Sequence, residues 1–245
     1  MPTITLTANH RYRVEGDSRI DPTVSLPSCS TISRLADSGG SDGLMYWAVD
    51  QYIRTKKRDA FRAMRDEAAA FGTAVHAEIQ TSIETTLSPE DPSDLWTAWD
   101  KSMSKNGICF SASELMVYHG GLGYGGTIDA LGWMDGRLGF TLFDWKTTTE
   151  LDGKGRIKEF NNVGHAVQLG GYALALEDQY NRYSNTALKD RLFQVNQAAV
   201  VYLFKDTGNI LWKWIALERA KETFLACATL YQQLQEGGLY DRMLA

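Results

Sequence analysis

The sequence predicts an α/β fold in which a central mixed sheet is flanked by helices. Two runs rich in β-branched and aromatic residues, 127–133 and 140–146, flank Asp135-Gly136, and this arrangement is typical of a β-hairpin. Apolar residues at helical spacing precede and follow the hairpin, and a continuous apolar run over 197–204 indicates a buried strand. The predicted order is therefore helix, three strands, helix, strand, with an extra helical region at the N-terminus.

The elements can be taken in chain order. The chain begins with a short strand pair or an extended arm over 3–14 and a helix over 27–35, for which Ser28, Ser30 and Thr31 are the candidate N-caps. The later elements are helices over 44–65, 66–85 and 95–106, a strand over 111–118, the hairpin, a helix over 166–180, strands over 197–204 and 210–216, and a helix over 218–234. We expect one domain over 1–245, since this length suits one substantial core.

Within that domain we distinguish three parts. Residues 26–110 form a helical region, residues 111–205 form the core that contains the hairpin, and residues 206–245 supply a C-terminal strand and helix. We find no internal repeat and no low-complexity segment, so the sequence gives no reason to divide the chain further.

Charge is distributed unevenly along the chain. The whole chain carries a net charge of −5, yet residues 51–65 hold six basic residues and one acidic residue. Four arginines of this segment have the spacing of one helix face, and they are Arg54, Arg58, Arg62 and Arg65. A solvated face and a surface for nucleic-acid phosphates explain this stripe equally well.

Three widely spaced cysteines indicate a reducing compartment. Cys29, Cys109 and Cys227 are odd in number and form no disulfide framework. They are also too few for an iron–sulfur cluster held by four cysteines, so we expect none. The chain lacks an apolar run of about 18 residues and the pattern of a signal peptide. We therefore expect a cytoplasmic protein that does not bind a membrane.

The second strand of the hairpin carries the chemistry. Asp144 and Lys146 are two residues apart and project from the same face of a strand, whereas Trp145 faces the other way. The hairpin brings Asp129 near them. Two carboxylates and an ammonium suit a divalent metal ion with a neighbouring proton-handling group. A surface ion pair is the alternative interpretation of Asp-x-Lys alone.

Five short segments resemble the PD-(D/E)xK nuclease superfamily, in particular its RecB-like, phage-type exonuclease branch, which includes the mitochondrial genome maintenance exonuclease. They are Leu26-Pro-Ser-Cys-Ser-Thr-Ile32, Gly72-Thr-Ala-Val-His76, Gly123-Tyr-Gly-Gly-Thr-Ile-Asp129, Asp144-Trp-Lys146 and Gln168-x-x-x-Tyr172. The resemblance spans about residues 26 to 205, and it is the order of the segments that is specific. Ile128 stands where the superfamily name has proline.

The resemblance implies a restriction-endonuclease-like αβββαβ core and a metal-dependent active site. It implies that His76, Asp129, Asp144 and the backbone carbonyl of Trp145 hold one or two Mg²⁺ or Mn²⁺ ions, and that Lys146 is catalytic beside Asp129 and Asp144. The residues it places around the site, where they support it or position DNA, are Glu114, Gln168 and Tyr172. A salt bridge at the rim of the site is the alternative for Glu114.

DNA contacts are expected mainly in the helical region. The resemblance implies that helices before His76 arch over single-stranded DNA, with the arginine stripe (Arg54, Arg58, Arg62 and Arg65) contacting its backbone. The start of helix 27–35, with Arg34 nearby, suits either a phosphate or ordinary helix capping.

The expected activity is that of a metal-dependent DNA exonuclease. It would hydrolyse phosphodiester bonds at DNA ends to 5′-phosphate products, with a preference for single strands, in phage or bacterial recombination, repair or replication. A recombination or replication protein is a candidate partner, and the compartment would be the bacterial cytoplasm if the chain is phage-encoded. A structure-specific endonuclease and a non-catalytic DNA-binding module remain the alternatives.

Overall fold

The computed structural model describes residues 2–37, 49, 52–57, 60–183 and 195–235. Its strands are β1 (Thr3–Leu6), β2 (Tyr12–Glu15), β3 (Ile108–His119), β4 (Tyr124–Met134), β5 (Phe140–Thr148), β6 (Val195–Phe204) and β7 (Ile210–Trp214). Its helices are α1 (Cys29–Ser33), α2 (Ala60–Thr85), α3 (Asp94–Lys105), α4 (Val163–Tyr183) and α5 (Leu217–Gln235), with a 3-10 turn at Arg34–Ala36. Within these residues, no helix combines the length and the apolar character that crossing a membrane requires.

The predicted mixed sheet is confirmed. Five of the described strands form it in the order β3-β4-β5-β6-β7. Neighbouring strands are antiparallel except for β5 and β6, which are parallel. Helix α4 connects these two parallel strands, as a parallel pair requires. The smaller pair β1-β2 forms a separate antiparallel sheet.

Helices cover both faces of the sheet. Alternate residues of β5 separate the two sides, since Leu142 packs with residues of α1, α4 and α5, whereas Phe143 packs with residues of α2 and α3. Val200 and Val201 divide in the same way on β6. The central strands are buried on both faces, which explains why their sequences read as continuous apolar runs.

The predicted hairpin joins β4 to β5 through residues 135–139. Gly136 and Gly139 have φ angles of 74° and 86°, a region that glycine enters without the steric penalty of a side chain. The strands pair at only three positions, Ala130 with Phe143, Leu131 with Leu142 and Gly132 with Thr141. Beyond these pairs the two strands separate, and the candidate site lies where they do so.

The prediction of one helix over 44–65 is wrong. Residues 52–55 are helical, but Lys56 has a φ of 59° and α2 begins only at Ala60. A residue in the left-handed region cannot continue a right-handed helix. Arg54 therefore precedes the break while Arg62 and Arg65 follow it, so these residues do not share a helix face. Arg58 lies outside the described residues.

The predicted helix over 27–35 is confirmed as α1, with Ser28 as its N-cap. The Ser28 hydroxyl accepts a hydrogen bond from the Thr31 amide at 3.1 Å, and it also contacts the hydroxyls of Ser30 and Thr31. Ordinary capping thus accounts for the hydroxyl-rich segment. Its role in holding a phosphate stays a prediction.

Candidate metal centre

The candidate site lies in the gap between β4 and β5. Pairing ends at Ala130 and Phe143, and the next amide of β5 that faces β4, that of Trp145, donates instead to the Asp129 side chain at 2.7 Å. A carboxylate oxygen thus replaces a backbone carbonyl as the acceptor. Because the Trp145 amide stays hydrogen-bonded, the strands can separate without leaving a buried donor unpaired.

Strand β4, which borders this gap, and its other neighbour β3 both depart from regular alternation. Ala112 and Leu115 of β3 pack against the same hydrophobic cluster although they are three residues apart, and so do Ile128 and Leu131 of β4. The irregularity falls at Glu114 and Asp129. Glu114 has a φ of 45°, a conformation that costs a residue other than glycine about 1–3 kcal/mol. Such strain persists where the surrounding fold enforces it, often at functional sites.

The irregular strands bring three ligand-type side chains together. His76 of α2, Glu114 of β3 and Asp129 of β4 each offer one atom within 4.8 Å of the other two. His76 Nδ1 lies 3.9 Å from Asp129 Oδ2. One imidazole nitrogen with carboxylate oxygens is a donor set for a divalent cation such as Mg²⁺ or Mn²⁺. We call these three residues the acidic cluster.

Burial and neighbouring charges shift the pKa of every residue in the acidic cluster. Burial, followed by the negative charge of Asp144, raises the pKa of Asp129 to about 8. Burial and the charge of Lys146 lower the pKa of His76, so its imidazole is neutral at pH 7. Burial also raises the pKa of Glu114. The imidazole is thus already in the state that binds a cation, whereas Asp129 must release its proton when a cation binds.

Asp144 and Lys146 project together, as predicted. Lys146 Nζ lies 2.6 Å from Asp144 Oδ2. The Asp144 side chain is 1% exposed, and apart from this ion pair neither of its oxygens has a hydrogen-bond partner in the part of the chain that the structure describes. Burial of a carboxylate with so few donors is costly. These oxygens are suited to a cation, and this observation supports the predicted role of Asp144 in metal binding.

Trp145 faces the opposite side of the sheet, also as predicted. Its ring stacks on Phe143 at a centroid distance of 5.5 Å and meets Trp99 edge-on at 5.9 Å. The Trp145 main chain nevertheless faces the site, because its amide donates to Asp129 and its backbone also hydrogen-bonds to His76. That second bond offsets only part of the lowering of the His76 pKa by burial. The predicted carbonyl ligand is thus next to the acidic cluster.

Gln168 and Tyr172 lie beside the site on one face of α4. Gln168 Nε2 donates to the Tyr172 hydroxyl at 2.5 Å. Tyr172 is 4% exposed, and burial raises its pKa, as do the charges of Asp144 and Asp129. Its ring packs on Gly126, where an added Cβ would lie 2.4 Å from the ring. The space left by the glycines before Asp129 is therefore filled by this ring and, at Gly125, by Tyr12.

Sequence analysis missed two features of the site. It gave Glu114 a supporting role, whereas the structure puts its carboxylate within the acidic cluster; the irregular backbone responsible has no sequence signature. It also omitted His165, one turn before Gln168, whose Nδ1 lies 3.2 Å from the Tyr202 hydroxyl. Burial and the charge of Lys146 lower the pKa of His165. The i, i+3 spacing to Gln168 is the signal that could have revealed it.

The predicted DNA-contacting arginines lie outside this cluster. Every residue from 62 to 71, in the first half of α2, is exposed, including Arg62 and Arg65. Arg65 forms an exposed ion pair with Asp66 at 2.7 Å. Arg54 and Arg34 are also exposed, and among the described residues none of the hydrogen bonds or ion pairs of the acidic cluster involves Arg34.

Comparisons with known proteins add no family. No family model matches the chain, and no curated protein matches it. Among solved structures, the chain is similar to the crystal structure of SSO0001, with a TM-score of 0.34 and 14% sequence identity, covering 83% of this chain and 84% of that chain. Similarity at this level carries no argument about function, so the site must be interpreted from its own residues.

Proposed function

We propose that this chain is a metal-dependent deoxyribonuclease that hydrolyses phosphodiester bonds in the gap between β4 and β5. The observation that carries the proposal is the buried Asp144 carboxylate, which pairs with Lys146 at 2.6 Å and has no other hydrogen-bond partner among the described residues. It lies close enough to the acidic cluster to raise the pKa of Asp129. Three carboxylates, an imidazole and an ammonium in one gap support metal-assisted hydrolysis.

The donor set fits a hard divalent cation. His76, Glu114, Asp129 and Asp144, with the carbonyl of Trp145, would hold one or two Mg²⁺ or Mn²⁺ ions. When bound, such an ion lowers the pKa of a coordinated water and neutralises charge on the scissile phosphate. The neutral state of His76 leaves a ring nitrogen available as a ligand.

Lys146 acts in this proposal as a fixed positive charge. Burial alone would lower its pKa, but the negative charges of Asp144 and Asp129 outweigh burial and raise it. The amine therefore keeps its proton at neutral pH and cannot serve as a general base in the unliganded protein. Its role is to orient the attacking water and to stabilise the negative charge that develops on the phosphate.

The exposed half of α2 supplies the proposed contact to DNA. Arg62 and Arg65 lie on it in a chain whose net charge is −5, so attraction to phosphates must be local. The proposal further includes action at DNA ends with single-strand preference, 5′-phosphate products, and a place in phage or bacterial recombination, repair or replication. They rest on the resemblance of the sequence segments to the exonuclease branch.

A digestion assay tests the function. Linear end-labelled single- and double-stranded DNA and circular single-stranded DNA are incubated with the wild type, Asp144→Asn and Lys146→Ala, in Mg²⁺, Mn²⁺ or EDTA. We expect metal-dependent degradation of linear DNA by the wild type and at least about a 100-fold loss in both variants, the magnitude of losing transition-state charge stabilisation. Cleavage of circles would indicate an endonuclease. Equal activity in the variants, or activity in EDTA, would contradict the proposed site.

A further inference from the structure

A groove of about 360 Å³ adjoins Lys146 on the side of α4. It lies between the ends of β5 and β6 and the segment that leads into α4, and its walls include Phe160, Asn161, His165 and Tyr202. Its volume falls within the range of small-molecule sites, about 300–1,000 Å³. Lys146 lines this groove and also pairs with Asp144, so the groove opens directly onto the proposed active site.

One wall of the groove is a supported aromatic ring. Phe160 contacts Tyr202 and Phe204 at centroid distances of 4.9 and 4.8 Å. Tyr202 and Phe204 are buried at 4% and 1% exposure, whereas Phe160 is only half-buried. The buried rings thus fix Phe160 at the surface, where part of its remaining area lines the groove. A fixed, partly exposed aromatic ring is a platform on which another flat ring can stack.

The other walls offer hydrogen-bonding groups. His165 Nδ1 forms a hydrogen bond with the Tyr202 hydroxyl at 3.2 Å, and His165 Nε2 has no partner among the described residues. Asn161 is exposed, and its amide makes only a 3.5 Å contact with Glu159. An aromatic ring with an amide and an imidazole nearby can recognise the face and the edge of a nucleobase together.

We propose that this groove holds the base of the nucleotide next to the scissile phosphodiester, an inference that rests on the proposed nuclease function. A strand with its phosphate at Lys146 has the neighbouring base within reach of the groove, where the base stacks on Phe160 and its edge meets Asn161 and His165. A base in a duplex stays stacked and paired, so the groove selects single-stranded or frayed DNA. Stacking of this kind is tolerant of sequence.

The test uses single-stranded oligonucleotides that are either intact or abasic at one position, scanned along the strand. The wild type, Phe160→Ala, Phe160→Leu and Ile157→Ala are compared. Phe160→Leu keeps an apolar side chain against Tyr202 and Phe204, which guards against loss of folding. Ile157 is 73% exposed on the same segment and does not line the groove, so Ile157→Ala is the matched control.

Two measurements separate the groove from the chemistry. Cleavage is measured as kcat/KM with Mg²⁺, and binding is measured by fluorescence anisotropy in EDTA. We expect the wild type and Ile157→Ala to disfavour the oligonucleotide that lacks the groove base by about 10-fold in both, within the range of one base–aromatic stack. Both Phe160 variants should discriminate less than about 2-fold.

Failure of the groove proposal and failure of the nuclease function would give different results. Discrimination in binding without any cleavage by the wild type would sustain the groove and refute the nuclease function. The base-binding role of the groove would be refuted if the wild type cleaved every abasic oligonucleotide at the same rate. It would also be refuted if both Phe160 variants discriminated as strongly as the wild type. Either result would leave the nuclease function unaffected.

Discussion

At the scale of single residues, the site depends on carboxyl groups that the fold buries close together beside one ammonium group. Asp144 is 1% exposed with one ion pair, and Asp129 lies among groups that raise its pKa to about 8. Crowded carboxylates resist ionisation, because each charge opposes the next and burial opposes both. A bound cation reverses this balance, so metal binding and proton release at Asp129 are linked.

The raised pKa of Asp129 predicts a specific pH dependence of stability. In the unfolded chain this carboxyl titrates near 3.8, so between about pH 4 and 8 the folded state holds a proton that the unfolded state has released. The stability contributed by Asp129 is therefore full below about pH 4 and is lost as the pH rises through 8. In EDTA, Asp129→Asn should unfold at a higher Tm than the wild type at pH 8, by about 2 °C or more.

Thermal unfolding of both proteins from pH 5 to 8 checks this prediction. The asparagine side-chain oxygen can still accept the hydrogen bond from the Trp145 amide, so the comparison isolates the effect of the Asp129 charge. The Tm difference between the variant and the wild type should grow with pH. A difference that stays constant across this range would show that Asp129 ionises at its ordinary pKa.

The position of His76 in the acidic cluster predicts its effect on metal use. Loss of the imidazole in His76→Ala removes one of the donors, and we expect the Mn²⁺ concentration for half-maximal activity to rise at least about 10-fold. His119→Ala is the matched control, since that histidine is also half-buried with a pKa lowered by burial but lies outside both the acidic cluster and the groove. An equal rise in both variants would assign His76 a structural role.

At the scale of secondary-structure elements, close packing of α4 on β4 holds the site. Gly126 of β4 meets the ring of Tyr172, which in turn bonds to Gln168. Tyr12 of β2 packs on the neighbouring Gly125 and also hydrogen-bonds to Thr127 at 2.9 Å. These contacts fix the part of β4 that leads into Asp129, so its position depends on side chains from two other elements.

We therefore predict that Gly126→Ala damages both stability and activity. The new Cβ would lie 2.4 Å from the Tyr172 ring, and overpacking of a buried site costs about 1–3 kcal/mol. Denaturant unfolding should show a lower free energy of unfolding, and the DNA-digestion assay should show a lower rate. Gly153→Ala, where nothing lies within 4 Å of the added Cβ, is the control. Wild-type values in Gly126→Ala would show that Tyr172 moves without cost.

The exposed half of α2 predicts a salt-dependent contribution to DNA binding. Replacing Arg62 and Arg65 by alanine should lower affinity for single-stranded DNA and reduce the slope of log K against log salt by about 1.4, or about 0.7 for each lost phosphate contact. Anisotropy titrations over a range of salt concentrations measure this slope. Lys101→Ala with Lys105→Ala removes two exposed charges from α3 and should leave the slope unchanged. Equal slopes for both double variants would show that Arg62 and Arg65 do not contact DNA.

At the scale of the whole molecule, sequence patterns predicted the layers but not the detail of the site. The hairpin, the opposed directions of Lys146 and Trp145, and the helix–strand order follow from turn chemistry and period-two alternation, which are local properties. The left-handed Glu114 does not, because tertiary packing imposes that conformation on a residue other than glycine. The break at Lys56 does not either, since this exposed lysine ends a helical turn in a conformation that glycine usually adopts. The inclusion of Glu114 beside His76 and Asp129 depends on that backbone and could not be predicted.

The site also spans both layers of the molecule. His76 comes from the helices on one face of the sheet, whereas Gln168 and Tyr172 come from α4 on the other. A cation between β4 and β5 would therefore connect both layers through the central strands. Because such an ion binds the folded state and not the unfolded chain, it should stabilise the molecule as a whole.

The central claim is that the residues between β4 and β5 bind a divalent cation, and calorimetric titration of Mn²⁺ into the metal-free protein tests it most directly. We predict a saturable binding heat in the wild type, with proton release at neutral pH, and at least about a 10-fold weaker affinity in Asp129→Asn. The absence of binding heat in the wild type, or the same isotherm in both proteins, would contradict the account.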